Sequence, residues 1–165
     1  MKPLTILSVL LLLISGWACN SEEAPSQTQD VIPIEEAILG TWETIEMEAH
    51  SPTYLGQDTT IHQLIREADW GKVFGVRPAS TVFTPDGKFR RTHTLQSGQV
   101  ADVTNGLWQV KGTDSLLFIE PNKTLYYKHE LADGRLTLTG VIDWDFDGEE
   151  DDDFRSVLRL VGKTE

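Results

Sequence analysis

Eight of the eleven residues from Asp143 to Asp153, DWDFDGEEDDD, carry a carboxylate. Asp143, Asp145, Asp147 and Gly148 reproduce the DxDxDG opening of a calcium loop, where hard oxygen ligands at alternate positions precede the glycine of a sharp turn. An EF-hand would continue to a bidentate Glu at the twelfth position, but that position is Phe154, and the flanking runs alternate as strands do. The pattern therefore predicts a hairpin form of the site. Asp143, Asp145 and Asp147 would be ligands, Glu149 would offer its backbone carbonyl, and Asp151 or Asp153 would complete the shell. Like charges packed this closely destabilise a fold unless a cation or salt neutralises them. A solvated Asp-Gly hairpin tip with no ion is the alternative. Trp144 and Phe146 interleave the aspartates, so they either cap one end of the domain or show aromatic surface to a protein or glycan partner.

A second group follows from period-2 alternation. In Thr124 to Leu131, the residues Leu125, Tyr127, His129 and Leu131 share one face, and the apolar ends mark it as interior. In Lys88 to Leu95, Phe89, Arg91, His93 and Leu95 do the same. Arg91, His93, Tyr127 and His129 would then converge on one interior, where an unpaired polar group costs roughly 1 to 3 kcal/mol. A small apolar ligand with an anionic head would satisfy Arg91. Alternatively, Arg91 reaches out to a rim and the histidines make ordinary hydrogen bonds.

Catalysis finds no foothold. The four histidines, His50, His62, His93 and His129, show no HExxH and no metal-ligand spacing, and the chain has no GxSxG elbow and no phosphate-cradling glycine loop. A non-catalytic role is expected. A formal net charge of −12 argues against nucleic acid as a partner.

The elements that would position these groups are mostly short alternating runs punctuated by turn residues, as in all-β sandwiches and barrels. Pro33 to Leu39 suits a short helix, with Glu35 and Glu36 at the positive end of its dipole. A strand follows from Thr41 to Ala49, with Ile45, Met47 and Ala49 on one face. The parity slips between Trp42 and Ile45, which predicts either a bulge or a Trp that packs at the barrel end. Ile61, Leu64, Ile65 and Ala68 recur at helical spacing behind Asp58, Thr59 and Thr60, so a helical insert is expected there. The remaining strands are expected at 79–84, 88–95, up to Lys111, 115–120, 124–131, 135–143 and 154–161. Eight antiparallel, mostly hairpin-linked strands close naturally into an up-and-down barrel that can hold one small ligand.

Gly40-Thr41-Trp42 resembles the GxW signature of lipocalins. The short bacterial lipoprotein barrels called lipocalin-like domains share the plan of GTW and a strand, then Phe83 with the Asp86-Gly87-Lys88 turn, then Gly106-Leu107-Trp108. The likeness covers residues 36 to 163. It implies an all-β, eight-stranded antiparallel up-and-down barrel with a short N-terminal helix and a helical insert after the first strand. It also implies that an Arg of the last strand, Arg159 or Arg155, packs on Trp42.

The other end of the chain speaks of location. Lys2, an apolar run from Leu4 to Ile14 and the stretch Ser15 to Ala18 lead to Cys19, the sole cysteine. This layout describes a secretory signal, and the run is shorter than the roughly 20 residues that span a bilayer. Ala18-Cys19 resembles a lipobox, which implies cleavage after residue 18 and lipidation of Cys19. Plain cleavage leaving a free thiol is the alternative. Residues 19–33 read as a polar, acidic tether ahead of a domain at 34–165. Asn20 with Ser21-Glu22-Glu23 resembles the signal of lipoproteins exported to the cell surface. The expected location is thus the outer membrane, held by the lipid anchor and facing outward, with a periplasm-facing position as the alternative.

Overall fold

The computed structural model describes residues 32–163, so Cys19, the expected signal segment and nearly all of the expected tether lie outside the described residues. One helical turn, α1 (Ile34–Ala37), starts behind Pro33, whose carbonyl accepts from the Glu36 and Ala37 amides at 3.0 and 2.9 Å. Then come β1 (Gly40–Ser51), β2 (Ile61–Arg66), a 3-10 turn at Glu67–Asp69, and α2 (Trp70–Phe74). The chain continues through β3 (Ser80–Phe83), β4 (Lys88–Thr94), β5 (Val100–Lys111), β6 (Ser115–Ile119), β7 (Thr124–Ala132), β8 (Arg135–Ile142) and β9 (Asp152–Gly162).

From β3 to β9 each strand pairs antiparallel with the next, and β9 returns to pair with β1 from Thr41 to His50. Together with the β1–β3 pairing, this closes an eight-stranded barrel, and β2 is an extra strand. Its place follows from length. The four residues of β3 cover only Gly40 to Glu43 of β1, and β2 takes up the hydrogen-bonding edge left free from Glu46 to Ser51.

The expected helix over Ile61 to Ala68 is therefore corrected to a strand. In β2, Ile65 is buried and Ile61 and Gln63 half-buried, while His62, Leu64 and Arg66 face solvent. Period 2 wins because two β-branched residues on one face find an unpaired edge to dock on. Helical structure begins only afterwards, where Trp70, Val73 and Phe74 follow, and it ends at Gly75 in the left-handed conformation at φ 69°. The parity slip in β1 is real. Thr44 pairs with Leu158 and Glu46 with Val157, so Ile45 is one residue too many in the ladder. Trp42 and Thr44 are buried on one side of the bulge and Ala49 and Ser51 on the other. Ile45 instead lines an outer groove with Glu46 and Arg66.

One end of the barrel is filled. Phe83 is fully buried, with ring centroids of Phe118, Trp108 and Phe89 at 5.6, 6.1 and 6.3 Å, and Ile38, Trp42, Leu116 and Leu136 complete this core. Gly106 makes the packing possible, since a Cβ there would lie 2.6 Å from the Phe89 ring. Backbone and indole bonds tie this end shut: Trp42 Nε1 donates to Ile38 O at 2.7 Å, Trp108 Nε1 to Thr84 O at 3.2 Å, and the Trp108 amide to Gly87 O at 2.8 Å. At the Asp133-Gly134 hairpin both residues have positive φ, 51° and 68°, as the tightest two-residue turns require.

Candidate functional site

The opposite end is open. Between the ends of β4 and β8 and the beginnings of β5, β7 and β9 lies a cavity of about 500 Å³, within the usual range for small-molecule sites. Met47, Trp70, Phe74, Leu125, Leu138 and Phe154 supply apolar wall. Aromatic rings run across its mouth. Trp70 stands 5.3 Å from Phe74, Phe74 lies 6.5 Å from Trp144, and Trp144 lies 5.4 Å from Phe154. Thus α2 and the segment after β8 cover the cavity together.

Alternation brings three of the four expected polar residues into it: Arg91, His93 and Tyr127 all line the wall. His129 shares their face of the sheet but is absent from the cavity lining. It sits farther along β7, paired with Leu138 and with its amide on Asp114 O at 2.9 Å, and its Nε2 is buried without a partner. Arg91 does not reach out to solvent. Its Nη1 donates to Glu120 Oε1 at 2.9 Å, and its guanidinium lies 5.5 Å from the centre of the Phe89 ring. The Glu120 side chain is only 9 % exposed, so the pair is well shielded from water.

Burial, helped by the Arg91 charge, holds His93 below its ordinary 6.5, against a smaller opposing pull from Asp102. Burial also pushes the Tyr127 phenol up to about 12. At neutral pH the cavity therefore offers a neutral imidazole and a phenolic O–H donor. Trp70, whose indole N–H has no partner, is a lining residue that sequence reasoning did not single out. Its signal was present as an aromatic beside Gly71 in the insert, but nothing in the spacing aimed it inward.

The acidic segment forms the loop between β8 and β9, and it is stitched to the loop after β1. Leu55 N donates to Asp145 Oδ2, Gly56 N to Asp147 Oδ2 at 3.0 Å, and Thr53 Oγ1 to Asp151 Oδ2 at 3.3 Å. Trp144 Nε1 adds a bond to Gln63 Oε1 at 3.0 Å. Three carboxylates converge: Asp143, Asp145 and Asp152 each present an oxygen within 4.8 Å of the others, and the triad could hold a metal ion. This changes the expected ligand set. The side-chain oxygens of Asp147, Glu149, Asp151 and Asp153 fall outside this convergence: Asp147 meets the Gly56 and Glu149 amides, Asp151 meets Thr53, and the side chains of Glu149 and Asp153 are exposed. Asp152 takes the place given to Asp151 or Asp153. It opens β9 opposite Ile142, on the inward parity shared with Ser156 and Leu158, and it is fully buried.

The pair expected from the last strand is also arranged differently. Arg159 lies opposite Glu43, on the outer face, with Nη2 on Glu43 at 2.7 Å and on Glu67 at 3.0 Å. Arg155 pairs with Glu46 at 2.7 Å. Trp42 points inward, so neighbouring positions of β1 and β9 send the indole and the guanidinium to opposite faces. Among the described residues the cation–π contact is that of Arg91 with Phe89. No family model and no curated protein matches this sequence.

Proposed function

We propose that this is a membrane-anchored, lipocalin-like and non-catalytic lipoprotein, held through Cys19, whose barrel binds a small apolar ligand with an uncharged hydrogen-bonding end. The observation that carries the reading is the cavity of about 500 Å³ at one end of a barrel whose other end is filled by the core around Phe83, with Arg91, His93 and Tyr127 set into an apolar wall. Charge balance selects the head group. Glu120 compensates Arg91, and the other charged side chains of the wall, Lys123, Asp102 and Asp143, bring no excess of positive charge. A carboxylate would enter a site already neutral or negative, whereas a hydroxyl or carbonyl can use the free N–H groups of Arg91 and the Tyr127 O–H without that cost.

Displacement of an environment-sensitive fluorescent lipid probe tests this. A long-chain alcohol is expected to compete better than the acid of equal length, and Tyr127→Phe to weaken the alcohol about three- to tenfold, the worth of one hydrogen bond. Failure of both to displace the probe, with a native mass equal to the chain alone, would overturn ligand binding. Phe146 favours a second reading. It is 81 % exposed beside the cavity mouth, an aromatic display suited to a protein or glycan partner at the cell surface.

A further inference from the structure

The loop that covers the cavity leaves buried carboxylate oxygens without partners. Asp152 is fully buried; its Oδ2 accepts from the Trp144 amide at 2.6 Å and the Asp145 amide at 3.4 Å, while its Oδ1 has no partner. Asp143 repeats the pattern, with Oδ2 taking the Gly148 amide at 3.2 Å and Oδ1 buried and bare. Asp145, buried, accepts at both oxygens, which retain lone pairs for a further partner. Asp151 Oδ1 is a further bare, buried oxygen in the same loop. Among the described residues no Lys, Arg or His forms an ion pair with any of these four.

Removing several carboxylates from water without a compensating charge is strongly unfavourable. Backbone amides orient these carboxylates, and one oxygen of each of Asp143, Asp145 and Asp152 lies within 4.8 Å of the others, which is how a ligand shell is held in place. We propose that Asp143, Asp145 and Asp152 bind one calcium ion that fastens the β8–β9 loop, and with it Trp144, over the open end of the barrel. The donor set selects the metal. All ligands are hard oxygens with no His or Cys in the cluster, which disfavours zinc and copper. Several protein carboxylates around one ion suit calcium, whereas magnesium keeps most of its water and rarely takes an all-protein cage. The inference does not depend on the identity, or existence, of a barrel ligand.

Purified full-length protein, stripped with chelator, tests it. Native mass spectrometry in millimolar calcium should show one ion per chain, and calcium should raise the melting temperature by several degrees where magnesium at equal concentration does less. Asp152→Asn and, separately, Asp143→Asn should each weaken binding at least tenfold. Should Asp152→Asn fail to fold, Asp143→Asn at the half-exposed edge decides the matter. A chain that takes up no calcium at about 10 mM, above the range of weak extracellular sites, overturns the proposal. Binding that survives unchanged in both variants does so too. So does an Asp152→Asn protein more stable than the parent in chelator, if the parent gains nothing from calcium.

Discussion

The two ends of this barrel are built from the same strands and solve opposite problems. At the end where α1 lies, large apolar side chains fill the interior around Phe83, with Gly106 leaving room for the Phe89 ring, and the turns at Gly87, Asp114 and Gly134 bond back to the strands. At the other end the inward positions include Thr44, Thr81 and Ser156, too small or too polar to meet in the middle, and the space between them stays empty. What covers that space is held by carboxylate-to-amide bonds and a string of aromatic rings. Stability and binding are thus separated along the barrel axis, and substitutions at the two ends should behave differently.

The largest contrast is volume. Phe83→Ala removes a fully buried ring with three aromatic neighbours and should lower unfolding free energy by about 3–5 kcal/mol in urea titrations. Ser156→Leu adds bulk at the cavity wall. In a filled core such an addition costs about 1–3 kcal/mol, but into existing space it should cost less than about 1 kcal/mol. A loss for Ser156→Leu approaching that of Phe83→Ala would show that the open end is as tightly packed as the closed one.

How much of this division was legible in the sequence depends on what each signal measures. Alternation gives the face of a strand, so Arg91, His93 and Tyr127 could be placed inside. It does not give height along the barrel, which is fixed by register between strands. That is why His129, on the same face as Tyr127, falls outside the cavity. Ile61, Leu64 and Ile65 fit both a helix at i, i+3, i+4 and a strand at i, i+4; only the free edge of β1, created by the shortness of β3, chooses between them. In the acidic loop a linear template picks alternate residues from its start. The chain turns back, however, and Asp152 belongs to the strand parity of Ser156 and Leu158. That parity was readable from the far side of the loop.

A smaller effect should appear in mild acid, again from the open end alone. Because burial and Arg91 hold His93 below 6.5 in the folded protein, the unfolded chain binds the proton first. Stability from this group is complete above pH 6.5 and declines as the pH falls through that value toward the native one. Denaturation midpoints measured between pH 7.5 and 5 should therefore drop in the parent and drop less in His93→Gln. Parallel curves for the two proteins would remove His93 from the cavity's electrostatics.

The smallest effect separates inside from outside at the closed end. Trp42 and Arg159 come from neighbouring strands within two positions of each other in register, yet the indole is buried and the guanidinium sits in solvent between Glu43 and Glu67. Exposed ion pairs contribute little because water and salt already screen them and the long side chains lose freedom in forming them. Arg159→Ala should shift the thermal midpoint by about 2 °C or less, and raising salt should shrink even that difference. If Arg159 instead packed on the Trp42 ring, as the likeness to lipocalins implies, its removal would uncover the indole, and the loss would survive high salt with a change in tryptophan fluorescence. A salt-resistant loss together with altered emission would place the guanidinium on the indole. A small, salt-sensitive shift with unchanged emission would confine the strength of this end to the interior of the barrel.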